Sequence, residues 1–234
     1  IGGMTPRCSE RAIALYKTFV KGECIPTTAR TAEMCKLTEN SYRDVNIAFA
    51  NELSIICDKL EINVWELIKL ANRHPRVNIL QPGPGVGGHC IAVDPWFIVS
   101  KTPKESPLIR TAREVNNYKT EWVIEKIKNA ALTFERDNGK KPVIACLGLT
   151  FKPDIDDLRE SPALHIVQKL SQEKLNIIVV EPNILISTHI PDINFIQLDN
   201  IENIKAKADI IVLLVGHKEF RKINFKHSQI MNFC

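Results

Sequence analysis

The sequence has 234 residues, 44% hydrophobic and 25% charged, and a formal net charge of +4 at pH 7. This length allows one large domain or two ordinary ones, and the composition is near the globular average, which excludes disordered and fibrous proteins. The small positive excess suits an anionic small molecule, whereas nucleic-acid binders carry a concentrated basic face. We therefore expect no nucleic-acid partner.

The cysteines lack the spacing of a disulfide framework, and no CxxC or HxxxH pair is present to bind a metal. Residues 1–12 resemble neither a signal peptide nor a transit peptide. The longest apolar runs have about eight residues, well below the roughly 20 that cross a bilayer. These features predict a cytoplasmic protein with no metal site and no membrane partner.

Apolar residues recur three or four positions apart in the first half, which predicts helices over 9–20, 31–60, 64–72 and 106–135. The stripe of the second helix consists of Met34, Leu37, Val45, Phe49, Leu53 and Ile56. The fourth helix would be about 45 Å long, which suits a rod that spans domains or a dimer interface.

The second half begins after residues 138–142, where glycine, proline and charge cluster as at a domain boundary. Strand-like and helical runs then alternate, which predicts a parallel sheet covered by helices. The strand-like runs are 143–147, 176–180 and 209–215, and the helical runs are 162–170 and 201–208. The predicted fold class is α/β, with a helical half followed by a Rossmann-like half.

A glycine-rich loop over 76–94 matches the dinucleotide fingerprint GxGxxG through Gly83, Gly85 and Gly88. We reject that interpretation, because Pro82 and Pro84 have no N–H for a pyrophosphate and the surrounding half is helical rather than βαβ. The alternative is that the glycines bring the backbone close to a substrate.

That alternative requires a reactive group, and Cys90 follows Gly87-Gly88-His89 directly. A lone cysteine is more often buried filler than a nucleophile, but the diglycine context favours a thiol at a pocket wall. We leave His89 a structural role.

Two further sets of polar residues are candidates for a site. Lys36 and Asn40 share a helix face, and an ammonium buried beside an amide would stabilise an oxyanion; the alternative is a solvated face. Lys152 and Arg159 follow the first strand of the second half, where ligands bind in such sheets. They would reach an anionic ligand, or else be surface charges balanced by acidic neighbours.

Three motifs occur in the order and approximate spacing of the UDP-glucose/GDP-mannose dehydrogenase family, which the chain resembles over essentially its whole length. They are Lys36-Leu-x-x-Asn40, Gly87-Gly88-His89-Cys90-x-x-x-Asp94, and Phe151-Lys152 with Asp157, Arg159 and Ser161. Segments 31–53 and 72–99 look like the UDP-N-acetyl-D-mannosamine dehydrogenase branch of that family in particular.

The resemblance implies an NAD-dependent, four-electron oxidation of a sugar C6 alcohol, through an aldehyde, to a uronic acid for bacterial surface glycans. Cys90 would attack the aldehyde and form a thiohemiacetal and then a thioester, which water hydrolyses. Lys36 and Asn40 would stabilise the oxygen anion, and Asp94 would assist the water or the thiolate.

The resemblance also assigns binding roles. Gly87, Gly88 and Phe151 would line the substrate site, and Lys152 would hold the UDP. Arg159 would reach the NAD pyrophosphate, since arginine suits phosphate contacts. Arg76 would contact the sugar or nucleotide across a homodimer.

The implied domains are a remnant of the NAD-binding domain over 1–20, a helical dimerisation domain over 21–137 and a UDP-sugar-binding domain over 138–234. Residues 231–234 would stop before the last strand and helix of that fold, and we expect the chain alone to show no NAD-dependent oxidation. The rivals are the UDP-N-acetylglucosamine 6-dehydrogenase branch and a non-catalytic nucleotide-sugar-binding or dimerisation module.

Overall fold

The structure is a computed structural model, and it describes residues 1–184, 197–198, 204, 207–222 and 229–234. The helices are α1 (Pro6–Tyr16), α2 (Ala29–Lys59), α3 (Val64–Ala71), α4 (Asp94–Lys101), α5 (Pro107–Asn138) and α6 (Pro162–Gln172). The strands are β1 (Gly2–Gly3), β2 (Thr27–Thr28), β3 (Val143–Leu147), β4 (Asn176–Val180), β5 (Gln197–Leu198), β6 (Ile210–Leu213) and β7 (Gln229–Asn232).

The helical half is built on two long helices, α2 and α5, which pack against each other and against α4. Thr28 caps α2 by accepting a hydrogen bond from the N–H of Thr31. Pro107 opens α5, and Gly139 ends it in the left-handed conformation that glycine adopts without strain. The predicted long helices are therefore confirmed.

The face that α2 turns inward is polar and small rather than apolar. Its buried residues include Asp44, Ala48 and Asn51, whereas Phe49 and Ile56 of the predicted stripe are exposed. The stripe predicts the helix correctly but does not mark the surface that α2 buries against α5.

The second half is a five-stranded sheet in the order β5-β4-β3-β6-β7, with every neighbouring pair parallel. Alternate residues of β3 point to opposite faces, so Ile144 packs into one apolar cluster and Ala145 into the other. The first cluster also contains Ile127 of α5 and Ile166 of α6, so both helices cover that face. The predicted α/β class is confirmed, and α5 serves both halves.

The sequence pattern predicts no helix at α4, which begins at Asp94, where the predicted glycine-rich loop ends. Residues 229–232 form the strand β7, which the sequence pattern does not predict. The predicted helix over 201–208 lies largely outside the described residues. No helix in the described part of the chain is both long enough and apolar enough to cross a bilayer.

Candidate functional site

Cys90 lies in the turn that leads directly into α4. It is a free, half-buried thiol, and its carbonyl accepts hydrogen bonds from the N–H groups of Val93 at 3.0 Å and Asp94 at 2.8 Å. The turn therefore places the thiol one turn before Asp94, beside the partial positive charge of a helix N-terminus.

Asn40, on α2, contacts the first residue of α4. It is buried, and its Nδ2 donates to Oδ2 of Asp94 at 2.5 Å across 54 positions of sequence. An amide nitrogen has two hydrogens, so one remains for another acceptor. The structure thus brings together three of the predicted catalytic residues, Asn40, Cys90 and Asp94.

Lys36 is placed differently from the expectation. Its side chain is 64% exposed, and its Nζ pairs with Glu39 at 3.4 Å. Of the two alternatives for Lys36, the structure shows the solvated face, because neighbouring Met34 and Cys35 are exposed as well and do not enclose the ammonium. Lys36 nevertheless lies one helical turn from Asn40.

The diglycine is the point where the two halves of the chain meet near Cys90. The N–H of Gly88 donates to the carbonyl of Arg159 at 3.1 Å. Gly88 has a φ of +83°, and a Cβ there would lie 2.9 Å from the ring of Phe151. At Gly87 a Cβ would meet the carbonyl oxygen of Glu160. Only glycine allows this approach, which sets Phe151 beside the diglycine.

Arg159 lies beside the diglycine, since its carbonyl accepts the N–H of Gly88, two residues before Cys90. Its Nε and Nη2 bond both carboxylate oxygens of Asp157 at 2.6 to 3.0 Å. Those hydrogen bonds lower the pKa of Asp157 to about 2. They also raise the pKa of Arg159, with a smaller contribution from Cys90.

The other two predicted cations are exposed. Lys152 places its Nζ 5.8 Å from the ring centroid of Phe151. Arg76 lies in the turn after α3, and its N–H donates to Nδ1 of His74. Within the described part of the chain no contact joins Arg76 to Cys90, so its role stays a prediction.

A buried polar seam between α2 and α5, which sequence reasoning missed, anchors the glycine-rich loop. Arg113 Nη1 bonds Asp44 Oδ1 at 2.6 Å, and Asn116 donates to the same oxygen at 2.8 Å. Asn51 donates to Asn116 and accepts the N–H of Gly83 at 2.8 Å. Burial raises the pKa of Asp44 and outweighs the opposing charge of Arg113. Polar residues at helical spacing on both helices were the available signal.

A second missed group holds the loop that carries Phe151 and Lys152. Glu181 Oε2, after β4, accepts the N–H groups of Leu149 at 2.7 Å and Thr150 at 3.2 Å. His217, after β6, lies 3.1 Å from the same oxygen. Burial raises the pKa of Glu181, but hydrogen bonds from His217 and from backbone N–H groups lower it by more, so the pKa is lowered overall. Both residues follow buried strands of the parallel sheet, where ligand sites form.

A metal centre does not fit the ring of His217. Among the described residues, ligand atoms of Asp154, His217 and Glu219 lie within 4.8 Å of one another. However, Nδ1 of His217 accepts the N–H of Asp154 at 2.9 Å, and Nε2 faces Glu181. Both ring nitrogens are therefore already engaged.

A cleft of about 540 Å³ separates α4 and α5 from α6 and the loop before it. Val93, Arg113, Ser161 and His165 are among the residues that line it, whereas Cys90 and Asp94 are not. The cleft lies where residues of both halves converge, as ligand sites often do.

Comparison with known proteins identifies both halves. The chain matches the central domain of the UDP-glucose/GDP-mannose dehydrogenase family over residues 30–118 and that family's UDP-binding domain over residues 145–232. NDP-N-acetyl-D-galactosaminuronic acid dehydrogenase of Ralstonia nicotianae is 62% identical, over 96% of this chain and 52% of that protein. UDP-N-acetyl-D-mannosamine dehydrogenase of Escherichia coli K12 is 60% identical, over 96% of this chain and 54% of that protein.

A solved structure supports the same relationship. UDP-D-ManNAc dehydrogenase from Pyrococcus horikoshii matches 99% of this chain and 55% of its own, with a TM-score of 0.84 and 36% identity. The chain spans about half the length of the curated relatives it matches. With both halves matched, the chain belongs to the UDP-glucose/GDP-mannose dehydrogenase family.

Proposed function

We propose that this chain supplies the thiol and the UDP-binding site of an NAD-dependent UDP-N-acetyl-D-mannosamine 6-dehydrogenase. The observation that carries the proposal is the hydrogen bond from Asn40 to Asp94, one turn from Cys90 and beside the diglycine that contacts Phe151. The 60% identity to the E. coli UDP-N-acetyl-D-mannosamine dehydrogenase supports a nucleotide-activated N-acetylhexosamine as the substrate. The product would be an activated acidic sugar for surface polysaccharide, made in the cytoplasm.

The chemistry of the proposed steps follows from this corner of the molecule. As Cys90 Sγ bonds to C6 of the aldehyde, the thiol proton passes to Asp94 and the C=O π electrons move to the oxygen. That oxygen anion accepts hydrogen bonds from the second N–H of Asn40 and from the ammonium of Lys36. Loss of hydride from C6 gives a thioester. Asp94, once it has released its proton to solvent, takes a proton from the water that attacks the thioester carbon, and the C–S bond breaks with Cys90 leaving as the thiolate. NAD, when bound, supplies the hydride acceptor for both oxidations.

The residues near the thiol also fit their binding roles. Arg159 uses Nε and Nη2 on Asp157, which leaves Nη1 outside those bonds and suits a pyrophosphate oxygen of NAD. Lys152 is an exposed point charge next to Phe151 and suits the diphosphate of UDP.

A homodimer completes the proposal. Tyr42, Phe49 and Ile56 are exposed and lie seven residues apart on α2, which places them along one side of the helix. Exposed apolar side chains along one helix face are typical of an interface between subunits. Arg76, in the turn after α3, would contact the nucleotide sugar bound by the partner subunit.

The identity of the sugar has a second candidate. The Ralstonia relative, at 62% identity, is named for a galactosaminuronic acid, which differs in sugar configuration. A binding panel of UDP-N-acetyl-mannosamine, UDP-N-acetylgalactosamine and UDP-N-acetylglucosamine separates these candidates.

Calorimetry on this chain tests the UDP site. We expect UDP-N-acetyl-D-mannosamine to bind wild type and to bind Lys152→Ala about tenfold more weakly, because one charge-assisted phosphate contact is lost. Lys169→Ala removes an exposed lysine of α6 and is the matched control. Equal affinities for wild type and Lys152→Ala would contradict the assignment. Binding of UDP-N-acetyl-D-mannosamine by a chain whose Cys90 does not add to the sugar 6-aldehyde would favour the non-catalytic module.

A further inference from the structure

We propose that His217 is a positioning residue for UDP-sugar binding and that it works only as a neutral imidazole with its proton on Nε2. The proposal rests on the proposed function, because the loop it positions is the one assigned to UDP. His217 itself is fully buried and would not touch the substrate.

The hydrogen bonds around the ring define its protonation state. The backbone N–H of Asp154 points at Nδ1 from 2.9 Å, and a backbone N–H can only donate. Nδ1 must therefore carry a lone pair, and the proton lies on Nε2, which donates to Glu181 Oε2 at 3.1 Å. Asn183 Nδ2, 2.9 Å from Nδ1, is a second donor to the same lone pair.

These bonds hold the substrate loop at both ends. Glu181 accepts the N–H groups of Leu149 and Thr150 at the start of the loop, and His217 accepts that of Asp154 at its end. Asp154 has a φ of +61°, which a residue with a side chain adopts only when its surroundings hold it. Phe151 and Lys152 lie between these anchors.

The position of Phe151 links the ring to the thiol. Phe151 contacts Gly88, two residues before Cys90, so a shift of the loop moves the UDP-binding cation and the wall of the thiol site together. His217 thus couples the end of β6 to the place where the two halves meet.

Protonation of the ring would break this arrangement. The charged groups that face it are Glu181 after β4, Asp154 with Oδ1 3.9 Å from Nδ1, and Glu219 and Lys218 of its own segment. A proton on Nδ1 would point at the N–H of Asp154. That donor cannot rotate away, so the loop end must separate from the ring.

The experiment measures affinity for UDP-N-acetyl-D-mannosamine, whose diphosphate diester does not titrate near neutral pH. At about pH 8 we expect His217→Phe, which keeps the ring shape without its hydrogen bonds, to bind about tenfold more weakly than wild type. His217→Asn keeps an acceptor near the position of Nδ1, and we expect affinity within about threefold of wild type. Lys69→Ala, at an exposed position of α3 away from the cleft, is the control and should not change affinity.

Rescue by the conservative variant separates a positioning role from a merely structural one. His217→Phe and His217→Asn both replace the buried ring, but only asparagine keeps an acceptor for the N–H of Asp154. Wild-type affinity in a folded His217→Phe, or affinity in His217→Asn as weak as in His217→Phe, would overturn the proposal. If His217→Phe does not fold, His217→Asn decides, and a loss of tenfold or more in it would overturn the proposal. No binding by wild type would instead refute the proposed function.

Discussion

The two halves of the chain bury different kinds of surface. The sheet half encloses aliphatic side chains on both faces, with Ile144 and Ile166 fully buried. The helical half encloses an ion pair and amides between α2 and α5 and turns the aromatic ring of Phe49 outward. Apolar volume therefore stabilises the sheet half, whereas polar geometry specifies the helical half, in which α2 keeps apolar side chains exposed.

The largest effect is expected from breaking the buried ion pair. Asp44→Ala should lower the free energy of unfolding by about 4 kcal/mol, because the buried charge of Arg113 loses its carboxylate partner and Asn116 loses an acceptor. Urea unfolding measures the loss. Asp137→Ala, which breaks an exposed pair with Arg136, should leave stability unchanged. A loss at Asp44 no greater than in that control would show that the seam does not stabilise the helical half.

The sheet half should respond to lost volume instead. Ile166→Ala removes side-chain volume from the cluster that α5 and α6 share, and we expect a loss of about 3 kcal/mol. Ile166→Val should lose only about 1 kcal/mol, in proportion to the smaller cavity. Ile230→Ala, at an exposed position of β7, is the control. Equal losses for the two Ile166 variants would contradict a densely packed core.

A buried lysine in the helical half should make stability depend on pH. Burial lowers the pKa of Lys119 to about 7 against a weaker opposing effect of Asp58, while its Nζ donates to Ser54 at 2.8 Å. Between about pH 7 and the unfolded pKa near 10.5, the unfolded chain binds the extra proton, so wild-type stability should rise with pH.

Replacing that lysine should remove the pH slope. Lys119→Met should be more stable than wild type at pH 7 by roughly 2 kcal/mol, after allowing for the lost hydrogen bond. The advantage should shrink toward pH 10. Thermal unfolding across this range measures it, with Lys69→Met as an exposed control. A pH-independent difference between wild type and Lys119→Met would refute the buried ammonium.

The smallest effect on stability is expected at the exposed face of α2. Phe49→Glu should change monomer stability by less than about 0.5 kcal/mol but dissociate the dimer, since it places a charge in the proposed interface. Sedimentation velocity measures the change. Leu132→Glu, at an exposed position of α5, should not alter the oligomeric state. A wild-type chain that sediments as a monomer would contradict the interface.

Local pattern predicts the long elements well, because hydrophobic period and caps act within a few residues. The α2 helix, the strands over 143–147 and 176–180, and the irregular glycine loop all follow from such signals. The side that α2 buries was not predicted, because the period identifies a stripe but not what covers it.

The site itself was only partly predictable. Motif resemblance pointed to Asn40, Cys90 and Asp94, but the hydrogen bond that joins two of them spans 54 positions and depends on how α2 packs on α4. The sequence did not decide between a buried and a solvated Lys36, because local apolar neighbours do not enclose a side chain without a packed partner. His217 was missed because its role depends on strands distant in sequence.

The most direct test of the account uses a UDP-N-acetylhexosamine 6-aldehyde carrying ¹³C at C6, added to this chain without cofactor. Addition of the thiol across the carbonyl needs no oxidant, so we expect a thiohemiacetal carbon signal in wild type. Cys35→Ala, which removes an exposed thiol of α2, is the control and should give the same signal. The signal should be absent in Cys90→Ala. A signal that persists in Cys90→Ala, or none in a wild-type chain that binds the nucleotide, would contradict the assignment of Cys90 as the nucleophile.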